Sequence, residues 1–369
     1  MSTAAAVGRT TIAPAFASED LERDVRINAL SVNQLFELYE RTGFLYPAKA
    51  ARLMPHFPTV RENWRRLLQA GDSLLYILSA GDDRDGCASI AVWRTTRDSW
   101  VWQHLVCESH PLRSRGVMLG GLTRCMRLGL GVSQQNWFRP ENRFPARVFG
   151  TMVETLGDAV SSVRRYMYFA VPRTLQVRPA TSVEIVRYDD SQHSALCDIA
   201  AQARGDLYVA AEDLAGDPEL QSVDALYQTV GLHRRRHVWL AYGKGSTQPL
   251  GAALAYRGPL GLNFSFIENR CDLLVSPALS ATDASQVTTA LMNAAVAAYA
   301  DSTLTEIPVA VDAASASALL DCGGQLLRNY CQGIWLKDAQ PALYRHVDSF
   351  YTRLLNREAR SRAASTLTA

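Results

Sequence analysis

The feature that most constrains this chain is an order of secondary-structure signals that occurs twice. VNQLFELYE (32–40) and RENWRRLLQAG (61–71) have helical spacing, the latter stopping at Gly71. SLLYILSA and CASIAVWRTT then read as a hairpin around the polar turn GDDRDG, SWVWQHLVCES (99–109) as a third strand, and VMLGGLTRCMRLGL as a helix. The succession restarts with the strand VEIVRYDD (183–190) and the helices SALCDIAAQAR and VDALYQTVGL. A second hairpin, HVWLAYGKGSTQPLGAALAYRG (237–258), a strand region at 262–277, the helix SQVTTALMNAAVAAYADS (285–302) and the strands EIPVAVDA and RNYCQGIWLKD complete it.

A duplicated α+β unit explains the repetition, each copy a mixed, mostly antiparallel sheet flanked by helices. The expected halves are residues 26–175 and 180–338. They meet near VPRTLQVRPATS (171–182), where two prolines break the pattern. Residues 1–25 read as a disordered tail, and 339–369 as a helix and tail. That helix spaces Leu343, Val347, Phe350 and Leu354 as an apolar stripe, to dock on the body or on a second copy, so a homodimer is among the expected assemblies.

Composition narrows the field. With 369 residues, 48% hydrophobic and 20% charged, the chain can bury a sizeable core, and its formal net charge of +2 argues against nucleic acid or an anionic membrane as a main partner. Seven cysteines without a CxxC pair read as buried thiols of a reducing compartment. MSTAAAVGRTTIAPAFASEDLERD lacks the apolar run of a secretory signal and ALMNAAVAAYA is too short to span a bilayer, so a cytoplasmic location is expected. No GxSxG, HExxH, Walker loop or strand-placed GxGxxG is present.

Several stretches carry candidate chemistry. Strict alternation along 99–109 puts Trp100, Trp102, His104, Val106 and Glu108 on one strand face, with His104 and Glu108 able to take a proton. Glu268, Arg270 and Asp272 share a face similarly, as an ion-pair cluster or a pocket lining. HRRRH (233–237) reads as a solvated basic loop; His233 and His237 have no evident third ligand, so no metal site is expected. In NWFRPENRFPARVFG (136–150), Trp137, Phe138, Arg139 and Arg143 are candidates to line a groove between the halves.

In both halves the succession resembles the GCN5-related N-acetyltransferase (GNAT) fold, and the tandem layout resembles its two-domain members. Most local similarity lies in VDAASASALLDCGGQLLRNY (311–330), where Ala316, Leu319, Leu320 and Gly324 hold the spacing of the segment that ends these domains. Leu320 stands where that family has a tyrosine that protonates the departing thiolate, and Gln325 where an aromatic is usual. In the first half, Phe149 or Gly150 falls near the tyrosine position.

The resemblance implies acetyl-CoA or another acyl-CoA as cofactor and a small-molecule or protein amine as acceptor. It places the pyrophosphate on ESHPLRSRGVMLGG (108–121), through Arg113, Ser114, Arg115, Gly116 and Val117, with Met118 where a small residue is usual. His104 or Glu108 would be the base. The other reading of the stretch is a strand-to-helix turn with solvated arginines. In the second half SPALSATDASQ (276–286) has no glycine and sets Asp283 where it would repel a phosphate. Two alternatives to an acyltransferase remain: a catalytically degenerate module of the same fold that binds a small ligand or a protein, and an aminoacyl-tRNA-dependent transferase of the Fem type.

Overall fold

The structure is a computed structural model that describes residues 25–82, 86–108, 111–174 and 182–367. The amino-terminal tail, the tip of the first hairpin, Ser109, His110 and the segment 175–181 between the halves lie outside the described residues.

Twelve strands form one continuous sheet. The first half contributes β1 (Val25–Ile27), β2 (Leu75–Asp82), β3 (Gly86–Arg94), β4 (Ser99–Cys107), β5 (Ser133–Phe138) and β6 (Ser161–Pro172). The second contributes β7 (Val183–Arg187), β8 (Arg235–Gly243), β9 (Pro249–Arg257), β10 (Cys271–Val275), β11 (Glu306–Val311) and β12 (Gln325–Leu336). Their order is β1-β2-β3-β4-β5-β12-β6-β11-β10-β9-β8-β7. It reads the same from either end once each half's last strand is exchanged for the other's. β12 is antiparallel to β5, β6 is antiparallel to β11, and the two exchanged strands pair antiparallel at the centre. Two separate sheets were the expectation; the exchange fuses them into one.

Helices cover both faces. On one lie α1 (Val32–Arg41), α2 (Pro47–Leu53) and α3 (Phe57–Gln69) of the first half, with α7 (His193–Arg204), α8 (Asp206–Ala211) and α9 (Gln221–Gln228) of the second. A single apolar core there joins residues of both halves, among them Phe36, Trp64, Tyr208 and Phe264. The opposite face carries α4 (Pro111–Leu128), α5 (Arg143–Val148) and α6 (Met152–Leu156), α10 (Ala281–Val296), α11 (Ala316–Asp321) and the carboxy-terminal α12 (Gln340–Leu367). Its two cores are separate.

Local sequence explains the entry of α1. Ser31 caps it, its Oγ accepting from the Gln34 amide while Gln34 Oε1 accepts from the Ser31 amide, and Val32, Leu35, Phe36 and Tyr39 form its buried face. Gly121 lets α4 sit close on the sheet: a Cβ there would lie 2.6 Å from Leu78 and 2.9 Å from Trp102. The stripe of α12 docks on the body, with Leu343 and Val347 fully buried beside α4's Val117 and Leu122.

Two expectations for the second half change. Only Cys271–Val275 of the 262–277 region is strand; the preceding residues form a loop in which Phe266 is left-handed, and that loop reaches into the first half. HRRRH is not a solvated loop. It enters β8, where alternation turns Arg234 and Arg236 inward to 2% and 1% exposure and leaves Arg235 outside, reaching back to the buried Asp224 at 2.9 Å.

The inward arginines belong to a buried ion network. Arg270 holds Asp272 at 3.0 Å and Glu212 at 3.1 Å, Arg204 holds Asp272 at 3.2 Å, and Arg234 pairs with Glu268. Tyr208 donates to Asp272 at 2.8 Å and Tyr256 to Glu212 at 2.9 Å. The network ties the halves together, because Trp93 of β3 donates to Glu268 at 3.1 Å and the Arg270 guanidinium lies 4.8 Å from the ring centre of Trp137 on β5.

Replacing one acid here leaves buried guanidiniums without counter-charge. Asp272→Ala is expected to destabilise by about 3–5 kcal/mol in urea unfolding at neutral pH. Burial opposes the ionised form of Asp272, but Arg270 and Arg204 hold its pKa below the ordinary carboxylate value. Its contribution to stability is therefore complete above about pH 4 and lost as pH falls through the depressed value, a slope Asp272→Ala removes.

Candidate functional site

β4 and β5 run parallel and pair from Ser99↔Ser133 to Trp102↔Asn136, then part. Side chains brace the opening: Asn136 donates to the Trp102 carbonyl at 2.6 Å and Gln103 to the Trp137 carbonyl at 2.9 Å. At the same place β4 carries a bulge, with His104 and Leu105 opposite Ile90 alone and His104 left-handed at φ 59°.

The bulge overturns the strand-face expectation. Trp100 and Trp102 face α4, whereas Val101 and Val106, five residues apart, both face the opposite core. His104 goes with Val106, stacked on Phe264 (ring centres 4.4 Å apart) and on Trp64 (5.7 Å). It does not share a face with the two tryptophans.

A cavity of about 430 Å³ runs through the parting. On the α4 side its walls are Ile90, Cys107, Ser114, Met118, Phe138 and Phe149. On the far side they are Tyr46, Lys49, His104, Arg139, Arg328 and Tyr330, with Phe264 and Ser265 from the second half's loop. The wall therefore combines α2, β4, β5, that loop and the exchanged strand β12.

Of the two expected bases, His104 is on this wall and Glu108 is not. Glu108 borders a separate pocket with Gln34, Glu37 and Arg41. Its carboxylate accepts from Arg41 Nε at 2.6 Å and from the Cys87 amide at 2.9 Å; the Arg41 bond is the main reason its pKa lies below the ordinary value. The structure thus separates the pair. His104 is 5% exposed and its Nδ1 is buried without a hydrogen-bond partner. Burial, and next the charge of Lys49, push its pKa well below that of ordinary histidine, so the ring is neutral.

The five expected cofactor residues sit in the first two turns of α4, which begins at Pro111 directly after the two undescribed residues. Ser114 alone of the five reaches the cavity wall, its Oγ donating to the Pro111 carbonyl at 2.9 Å. Arg115 is engaged by α12, its Nη2 and Nε lying 2.6 and 3.0 Å from Asp348 Oδ1. Val117 is core, and Gly116 has open space where a Cβ would stand. Arg113 reaches toward Gly81, where its Nη1 and Cδ would crowd an added Cβ. In the second half Asp283 occupies the first turn of α10, its carboxylate accepting from the capping Ser280 at 2.7 Å.

Trp137, Phe138 and Arg139 line the cavity, and Arg143 is not among its wall residues. Phe149, near the expected tyrosine position, is on the α4 side, while Leu320 is 55% exposed on α11. The hydroxyls present come from elsewhere. Tyr46 accepts from Arg328 Nη1 at 3.0 Å, and Tyr330 donates to Ser265 Oγ at 2.7 Å. Sequence reasoning had missed Tyr46, Lys49, Arg328 and Tyr330; no local motif marks them. Among the described residues no group of three or more histidine, cysteine or acidic side chains is placed to hold a metal, and no helix is long and apolar enough to cross a membrane.

Lys49 is the most perturbed cation of the wall. Burial, then Arg139 and Arg328, bring its pKa down to about 7. The sign follows: the folded chain binds that proton less tightly than the unfolded chain, whose lysine titrates near about 10.4. The penalty is complete below about pH 7 and relieved as pH rises above it, with a slope of at most about 1.4 kcal/mol per pH unit. Lys49→Met is expected to raise ligand-free stability at neutral pH and to flatten the wild-type rise, as read from unfolding midpoints between about pH 6 and 10 in buffers without multivalent anions.

No family model and no curated protein matches the chain. Among solved structures it is similar to a tandem GNAT protein from the clavulanic acid biosynthesis pathway, at 9% identity and a TM-score of 0.42 over 85% of this chain and 98% of that one. It is also similar to a GCN5-related N-acetyltransferase from Sphaerobacter thermophilus (13% identity, TM-score 0.41, 75% and 85% covered). A third is a putative acetyltransferase from Pyrococcus horikoshii (9%, 0.43, 85% and 90%).

Proposed function

We propose that the protein is an acyltransferase that moves an acyl group from coenzyme A or a related carrier to an amine in the cavity of the first half. The carrying observation is the path itself. The cavity starts beside the first turn of α4, passes between two parallel strands that have parted, and ends among polar groups on the other face of the sheet.

A slender arm carrying a reactive end fits such a passage. Its outer part would lie at Ser114, where the amino-terminal end of α4 favours negative charge, and its inner part between the edges of β4 and β5. When bound, the carrier would supply an acyl thioester. The chain's own residues then position an amine beside it and handle protons.

His104 is neutral and lines the cavity, whereas Glu108 borders a separate pocket, so the base role falls to His104. As the amine nitrogen bonds to the acyl carbon and the carbon–sulfur bond breaks, the amine's proton passes to His104, directly or through water. The thiolate's proton comes from a wall hydroxyl. Tyr46, which accepts from Arg328, keeps its own hydrogen to give, and burial raises the pKa of Tyr330 so that it remains protonated. The second half has no equivalent role: Asp283 opposes a phosphate at α10 and the ion network fills its interior.

Thermal unfolding with millimolar acetyl-CoA tests the reading. Stabilisation of about 2.7 kcal/mol is expected where the carrier stands at about a hundred times its Kd. Ser114→Leu, which narrows the α4 end of the passage, should lose the shift measured against its own ligand-free baseline. Gly116→Ala, whose methyl enters open space, should retain it. Absence of a wild-type shift would instead favour a module that binds another small ligand or a protein.

A further inference from the structure

The far end of the cavity carries positive charge that the protein does not balance. Lys49 of α2, Arg139 just after β5 and Arg328 of β12 converge on Tyr46. Lys49 Nζ lies 5.0 Å from the ring centre and the Arg139 guanidinium 5.5 Å, while Arg328 Nη1 donates to the hydroxyl at 3.0 Å. No aspartate or glutamate is among the cavity's wall residues. Among the described residues none of the three cations has a carboxylate partner, although Arg41, Arg97, Arg115, Arg187 and Arg257 each hold one.

Desolvating like charges together is unfavourable unless something of opposite sign arrives. We propose that Lys49, Arg139 and Arg328 form a seat for an anionic group, a carboxylate or phosphate, carried by the acceptor, so that the substrate class is an anionic amine. The word acceptor rests on the acyl-transfer reading; the anion seat rests on the cavity alone.

The geometry suits recognition rather than chance attraction. Tyr46 engages one nitrogen of the Arg328 fork and leaves the others to donate, and guanidinium forks match carboxylate and phosphate oxygens in pairs. His104, near enough to Lys49 to feel its charge, lines the same wall. An anion seated among the three cations would leave its amine on the His104 side of the cavity, toward the strand parting.

Anion binding must also change the charge of Lys49. The groups facing it are Arg139, Arg328, His104 and the rings of Phe44 and Tyr46, none of them acidic at neutral pH. An anion supplies the missing favourable partner and returns the amine to its protonated form. Binding at about pH 8 is then accompanied by proton uptake that fades toward about pH 6, where the amine is already charged.

Isothermal titration with succinate and with inorganic phosphate, at ionic strength held constant with sodium chloride, tests the proposal. One or both should bind wild type and Arg143→Met, a control outside the cavity wall. Which anion binds more tightly distinguishes a carboxylate acceptor from a phosphate one. Affinity should fall about tenfold or more in Arg139→Met and in Arg328→Met, as expected for loss of one hydrogen bond to a charged group. Lys49→Met should abolish the proton uptake.

Should Arg328→Met fail to fold, Arg139→Met and Lys49→Met carry the test, because among the described residues neither native side chain makes a hydrogen bond. Failure of both anions to bind wild type overturns the proposal, as does unchanged affinity in the Arg139 and Lys49 variants. Loss of the acetyl-CoA shift in Arg139→Met would assign the cations to the carrier's phosphates and also overturn it. Anion binding without any acetyl-CoA shift would sink the acyl-transfer reading and leave the seat standing.

Discussion

The antiparallel pairing of β6 with β12 is the interaction on which the rest of this structure depends. It joins the last strand of the first half to the last strand of the chain, from Gln325↔Ala170 to Trp335↔Ser161, and makes one sheet of two. Without it β12 would end one sheet and β6 the other as open edges. The pairing also delivers chemistry, because β12 brings Arg328 and Tyr330 across to a cavity whose other walls come mostly from the first half, with Phe264 and Ser265 from the second half's loop. A contact of such sequence separation must offset the entropy of closing a large loop before it stabilises the fold.

The buried ion network is the second half's answer to a problem the first half leaves open. Both halves crowd guanidinium or ammonium groups on the same side of the sheet. In the second, Glu212, Glu268 and Asp272 stand among Arg204, Arg234, Arg236 and Arg270, and tyrosine hydroxyls take up remaining carboxylate lone pairs. The result is a rigid polar core in which each acid is held by several donors. At the parted strands of the first half, Lys49, Arg139 and, brought across by β12, Arg328 line a cavity, and among the described residues no acid is on its wall. Two copies of one architecture have thus parted in use, one closed around internal ion pairs and the other kept open toward an external ligand.

How much of this was legible follows the range of the interactions. Much of the element order could be read because helix and strand periodicities are local, and so could the α12 stripe; the strands β5 and β6 could not, and Glu268, Arg270 and Asp272 meet through a helical turn entering β10 and not along one strand face. The face of His104 could not, because a single left-handed residue shifts the phase of every later side chain on β4, and that conformation stays uncommon in any one non-glycine residue of a strand. HRRRH looked like a solvated loop because charge density was weighed above alternation, whereas the acids that make burial of Arg234 and Arg236 tolerable lie elsewhere in the sequence. The phosphate-loop residues were judged by spacing; Arg115 was already promised to Asp348, 233 residues away, which no local pattern shows. Arg328 and Tyr330 were invisible as site residues because only the strand exchange puts them there.

A cavity wall that gathers like charges is electrostatically costly. Its cations pay part of their desolvation with no counter-ion, and Lys49 relieves the pressure by releasing its proton close to neutral pH. Tyr46 limits the strain by accepting from Arg328 and offering its ring to the other two, which also fixes where they stand. Stability is thereby exchanged for a site already arranged for its ligand, the pattern expected where a binding surface must be ready before its partner arrives. The asymmetry between the halves has the same origin: internal acids would stabilise the first half as they do the second, and would occupy the place that an incoming anion needs.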